Sequence, residues 1–143
     1  MLKLLFVCHG NICRSVMAEM IFKSTCKDEK VYVSSKALSS EEIGHSIYPM
    51  AKSTLIKHNI LVESHTATRI TKNDYENYDY IYYMDNENKR DLEFLFPSDN
   101  GTKIRPLLDK EIEDPWYTRD FEKCYEDILM GVKRIIKDIE NER

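Results

Sequence analysis

The stretch Leu2 to Val7 is apolar at every position but Lys3, and it runs straight into Cys8-His9-Gly10-Asn11-Ile12-Cys13-Arg14-Ser15. An apolar run of this length without polar alternation is the pattern of a strand covered on both faces, which occurs in parallel sheets flanked by helices. It predicts a strand in the middle of such a sheet. Beyond it the period changes. Val16, Met17, Met20 and Ile21 recur at helical spacing and predict a helix from about Arg14 to Cys26.

The same alternation continues along the chain. Val31 to Ser35 reads as the next strand. Pro49 suits the first turn of a helix whose apolar side carries Ala51, Leu55 and Ile56, with Asn59 free to take the left-handed conformation that ends it. Tyr80 to Met84 predicts a third strand, Asn86 to Phe96 a helix stopped by Pro97, and Lys103 to Leu108 a fourth strand. Phe121, Tyr125, Ile128, Leu129, Val132, Ile135, Ile136 and Ile139 mark one face of a long final helix. The expected fold is α/β: a single domain over residues 1–143, with a doubly wound four-stranded parallel sheet and helices on both faces. Ligands of such sheets bind beyond the carboxyl ends of the strands, where the turn after the first strand lies.

The hydrophobic fraction of 42% in 143 residues is enough for an ordinary core. A net charge of -4 argues against nucleic acid as the partner. The apolar run before Cys8 is too short for a signal peptide or a membrane span, so the expectation is a cytoplasmic chain with no membrane partner and four cysteines kept as thiols. Each cysteine then serves packing or chemistry. Cys26 and Cys124 fall in predicted helices and read as packing residues, and Tyr75, Tyr78, Tyr80, Tyr82 and Tyr83 as strand and core residues.

The turn from Cys8 to Ser15 joins a buried strand to a helix N-terminus. Such a loop points its backbone N–H groups inward, and the positive end of the helix dipole adds to them, making a cradle for a tetrahedral oxyanion. Gly10 and Asn11 are residue types that tolerate unusual backbone angles. Arg14 brings a planar fork matched to two phosphate oxygens. The same field favours the thiolate form of Cys8. A phosphate held there has its phosphorus facing a nucleophile. A zinc site on Cys8, His9 and Cys13 lacks a fourth ligand.

These residues resemble the low molecular weight protein tyrosine phosphatases, whose loop reads Cys-x-Gly-Asn-x-Cys-Arg-Ser near the N-terminus. The resemblance extends through Ser34-Ser35, Gly44 and Pro49, His65-Thr66-Ala67-Thr68-Arg69, Tyr78-Asp79, Met84-Asp85 and Asp114-Pro115-Trp116-Tyr117. It implies that Cys8 attacks phosphorus to form a cysteinyl-phosphate, that Arg14 clamps the phosphate, and that Asp114 protonates the departing phenol and then deprotonates the attacking water. The phosphate-binding loop is then His9 to Ser15, with Ser15 donating to the thiolate. Asn11, Ser35 and His65 form the network that keeps the loop in shape. Trp116 and Tyr117 wall the substrate ring, and Cys13 guards Cys8 against over-oxidation by closing a reversible disulfide. The implied partners are phosphotyrosine-containing proteins, with inorganic phosphate as product. No cofactor or metal is implied, and the chain is expected to be a monomer.

Departures from the family pattern surround the cleft: Val16, Ala37-Leu38, Ile47, Tyr48, Met50 and Thr118. Rival readings differ at identifiable places. The related arsenate reductases need two further cysteines in mid-chain, and between Cys26 and Cys124 there are none. Protein arginine phosphatases of the same family carry Thr at the position of Ile12, which here favours an aryl phosphate. A catalytically silent phosphotyrosine-binding module would have no use for Cys8, Arg14 and Asp114 together.

Overall fold

The computed structural model describes residues 1–142. Strands β1 (Leu2–Cys8), β2 (Val31–Ala37), β3 (Tyr80–Tyr83) and β4 (Ile104–Pro106) form one sheet in the order β2-β1-β3-β4. Every pairing is parallel, with Leu4 opposite Val33 on one side of β1 and opposite Tyr80 on the other. The apolar run at the N-terminus thus occupies the interior of the sheet, where both of its faces are covered. Leu4 and Phe6 enter one hydrophobic cluster, while Leu5 and Val7 enter the other. Such two-sided burial leaves no place for polar alternation.

On the first face pack α1 (Arg14–Thr25), α2 (Pro49–Lys57) and the long α6 (Phe121–Asn141). The second face is closed by α4 (Asn86–Leu95), through Leu92, and by the segment that includes α3 (Lys72–Asn77). The apolar stripe of α6 is buried at Phe121, Tyr125, Ile128, Val132, Ile135 and Ile139, and partly buried at Leu129 and Ile136. Asn59 ends α2 at φ 62°. Among the described residues no helix is long and apolar enough to cross a membrane.

The sequence reading and the structure differ at several boundaries. β2 runs two residues beyond Ser35, because Ala37 stays in register opposite Cys8. β4 is the three-residue edge strand Ile104–Pro106, shorter than Lys103 to Leu108: Pro106 has no N–H to donate, and Leu107 and Leu108 turn inward to the core. Ile56, expected on the apolar side of α2, is 56% exposed, since that short helix buries only Ala51, Thr54 and Leu55. Two short helices, α3 and α5 (Pro115–Thr118), have no counterpart in the sequence reading. α3 opens on a capping box between Thr71 and Asp74, a local signal that needs no apolar stripe.

Candidate active site

Three elements end at the same edge of the sheet and meet there. β1 delivers Cys8, α1 begins at Arg14, and residues 9–13 form the loop between them. The Cys8 sulfur lies under this loop and collects donors. The backbone N–H groups of Asn11 and Ser15 point at Sγ from 3.3 and 3.4 Å, and Ser15 Oγ lies 3.1 Å away. Asn11 Nδ2 donates to Ser15 Oγ at 2.7 Å. With an acceptor lone pair of the hydroxyl thereby occupied, its own proton is free to point at the sulfur. Two backbone N–H groups and a hydroxyl thus converge on one buried sulfur.

Asn11 holds the loop in shape. Its φ is 60°, in the left-handed region that asparagine tolerates better than most residues. Its carbonyl accepts from His65 Nε2 at 2.8 Å, and its Oδ1 accepts from the Thr68 backbone at 3.4 Å. Gly10 supplies room instead of an unusual angle. It is not among the positive-φ residues, and a Cβ there would approach Glu42 Cγ to 3.2 Å. Ser35, expected in the same network, is engaged elsewhere: its hydroxyl donates to Glu19 Oε1 at 2.6 Å, tying β2 to α1. Glu19 in turn pairs with Lys23. The reason is placement, since Ser35 sits opposite Phe6, two residues short of Cys8.

The Arg14 guanidinium is buried and held from one side. Nη1 donates to Asp85 Oδ2 at 2.7 Å and to the carbonyl of Ile112 at 2.9 Å, which uses both of its protons. Nη2 lies 3.4 Å from Asp114 Oδ2. The edge formed by Nε and Nη2 is therefore the fork left for a ligand. Asp85 lies in the Met84-Asp85 pair, where the sequence alone assigns it no role. It caps α4 through Oδ1, which accepts from Asn88, and uses Oδ2 on Arg14. The signal that could have found it is positional: an aspartate just past the carboxyl end of the strand neighbouring β1 stands beside whatever follows β1.

Asp114 caps α5, its Oδ1 accepting from the Trp116 backbone at 3.0 Å. Asp114, Trp116 and Tyr117 line a cleft together with His9, Glu41 and Glu42. Residues 8–14 form the rest of its lining. Trp116 is half-exposed and Tyr117 is 80% exposed, so both aromatics stand at the mouth. Glu41 and Glu42 were not singled out in the sequence; Glu41 accepts from His9 Nε2 at 2.9 Å. Ligand atoms of His9, Glu87 and Asp91 lie within 4.8 Å of one another, a three-ligand set that does not include Cys8.

The other cysteines are chemically distinct from Cys8. Burial pushes the thiols of Cys13 and Cys124 far above the ordinary range, with neighbouring negative groups adding to the effect on Cys13. Cys124 packs inside α6, and Cys26 stands just past the end of α1, partly buried against the same core. The cleft thus combines one sulfur surrounded by polar groups, a half-engaged guanidinium, and a carboxyl 3.4 Å from that guanidinium.

Comparison with known proteins gives the same direction. A sequence model described as low molecular weight phosphotyrosine protein phosphatase matches residues 3–143. The low molecular weight phosphotyrosine protein phosphatase of Gallus gallus is 36% identical, over 93% of this chain and 92% of the relative. Among solved structures, SP-PTP, a low molecular weight protein tyrosine phosphatase from Streptococcus pyogenes, superposes with a TM-score of 0.92 at 34% identity, over 96% of this chain and 93% of that one. YfkJ from Bacillus subtilis superposes with a TM-score of 0.95 at 30% identity, over 100% of this chain and 97% of that one.

Proposed function

The chain belongs to the low molecular weight phosphotyrosine protein phosphatases, and from that membership we propose that it hydrolyses phosphotyrosine in proteins through a cysteinyl-phosphate formed on Cys8. The observation that carries this reading is the convergence of two backbone N–H groups and a hydroxyl on Cys8 Sγ, at the floor of a cleft that Arg14 also faces.

The phosphoryl oxygens sit in the loop of residues 9–13, taking its backbone N–H groups and the Nε and Nη2 edge of Arg14, while Asp85 and the Ile112 carbonyl keep that edge turned to the ligand. The thiolate attacks phosphorus in line with the departing oxygen. Asp114, at the rim, gives that oxygen its proton, so phenol and not phenolate leaves. In the second half the same carboxylate takes a proton from water as its oxygen attacks the phosphorus of the cysteinyl-phosphate, releasing inorganic phosphate and restoring the thiolate. Ser15 steadies the sulfur as attacking and as leaving group. Trp116 and Tyr117 give the substrate ring an aromatic wall. Cys13, in the same loop, is the partner with which an oxidised Cys8 closes a disulfide.

The test is turnover of phosphotyrosine in the presence of a chelator. Cys8→Ser should abolish it, and Asp114→Ala should slow it by about 10²- to 10⁴-fold. A chain that binds phosphotyrosine without turning it over would be a recognition module, and preferential turnover of phosphoarginine would move the substrate class.

A further inference from the structure

Arg119 ends α5 in the left-handed conformation, with φ 62°. Glycine or asparagine holds such a position at lower cost, so the backbone does not account for an arginine there. The side chain does. Nη1 donates to the carbonyl of Trp116 at 3.2 Å, and Nη2 donates to the hydroxyl of Tyr48 at 2.9 Å and touches Met50 Sδ at 3.0 Å. The guanidinium carbon lies 5.5, 5.9 and 5.7 Å from the ring centroids of Tyr48, Trp116 and Phe121. Each spacing falls within cation–π range.

Tyr48 carries the connection onward. Its ring meets Trp116 edge-on at 4.9 Å and stacks on Phe121 at 5.9 Å. Its backbone N–H donates to the carbonyl of Ile12 in the phosphate-binding loop at 2.9 Å. A continuous line of contacts thus runs from α5, whose cap is Asp114, through Arg119 and Tyr48 to the loop above Cys8. The direct tie is weaker. Beyond α5, the Asp114 carboxylate reaches a side chain only at Arg14 Nη2, 3.4 Å away, among the described residues. A phosphate that takes that nitrogen removes the tie at the moment the acid must be in place.

We propose that Arg119 is a positioning residue: by gripping Tyr48 it holds α5, and Asp114 with it, at the spacing from Cys8 that protonation of the leaving oxygen requires. The proposal rests on Asp114 being the general acid. Misplacement of a reacting group by about 1 Å can cost on the order of a hundredfold, so a loosened α5 should be visible in the rate.

The readout is the dependence of kcat/KM on leaving group across a series of aryl phosphates. A proton delivered to the leaving oxygen makes a poor leaving group such as phenol depart almost as readily as an acidic nitrophenol. Arg119→Ala should therefore lower kcat/KM for phenyl phosphate about tenfold and for nitrophenyl phosphate by less than about twofold, with competitive inhibition by inorganic phosphate unchanged. Arg119→Lys should restore part of the loss, and Tyr48→Phe should show a smaller loss with the same bias. Arg119→Asn, which suits the left-handed backbone and cannot span to Tyr48, serves in place of the alanine variant if that one folds poorly. Equal loss for all leaving groups, weakened phosphate inhibition, or no loss would overturn the proposal. Asp114→Ala measured alongside separates the two claims. If it leaves the series flat, the assignment of the acid fails and Arg119 has nothing to position; if it steepens the series while Arg119→Ala does not, the latch alone is wrong.

Discussion

Cys8 and Cys13 stand five residues apart at the two ends of one loop, and their surroundings differ. Cys8 Sγ receives N–H donors from Asn11 and Ser15 and lies beside the Ser15 hydroxyl. Burial pushes the Cys13 thiol up, so it keeps its proton at neutral pH. Peroxide should accordingly oxidise Cys8 first, to the sulfenic acid. Condensation with the Cys13 thiol then releases water and leaves a disulfide, which a thiol reductant opens. In mild peroxide followed by reductant, activity of the native chain should fall and return. Cys13→Ala should lose activity at a similar rate but recover little of it, because its sulfenic acid proceeds to the sulfinic acid. Irreversible loss in the native chain at the same exposure would remove Cys13 as a guard.

At the scale of elements, α6 comes very close to the segment after β4 at Gly131. A Cβ added at Gly131 would stand 2.5 Å from Leu107 Cγ and 2.9 Å from the Leu107 carbonyl oxygen. Gly131→Ala gains about 1 kcal/mol of helix propensity but forces a backbone shift, and overpacking of this kind costs about 1–3 kcal/mol. With backbone as the obstacle, the clash should win and the thermal midpoint should fall by a few degrees; a rise would show that Leu107 gives way. Activity should fall as well, because Leu107 leads toward Ile112, whose carbonyl orients Arg14. The elements most legible in sequence were those whose burial imposes a long pattern, β1 with its unbroken apolar run and α6 with its stripe. α3 and α5 are too short to show a period, and only Thr71 with Asp74 and Asp114 with Pro115 marked them. The loop's residues were readable because they are contiguous. Asp85, Tyr48 and Arg119 join the site across the fold, and Ser35 leaves it for Glu19, through contacts that no local pattern records.

For the molecule as a whole, the cleft draws on the carboxyl ends of β1 and β3 and on the chain after β4, so it persists only while the sheet keeps both of its covers. Two of the nine tyrosines report on those covers. Tyr82 is buried in the cluster under α1 and α6, and Tyr78 in the cluster on the opposite face; each is 7% exposed. Burial pushes both phenols up to about 12, whereas an unfolded tyrosine loses its proton near 10. The folded state therefore binds more protons than the unfolded one between these values. Stability should be unaffected by these groups below pH ~10 and should fall as pH rises toward ~12, by on the order of 2 kcal/mol for each. Denaturant midpoints measured from pH 8 to 11.5 should decline gently from about 9, where the unfolded Cys13 and Cys124 thiols ionise, and more steeply above about 10, and Tyr82→Phe should flatten the steeper part alone. Phenolate absorbance should rise in two steps, exposed tyrosines first and the buried ones, Tyr78 and Tyr82 among them, together with unfolding. A single wave near 10, with no steeper drop in the midpoint, would mean that solvent reaches both cores in the folded state and that the sheet is not sealed on either face.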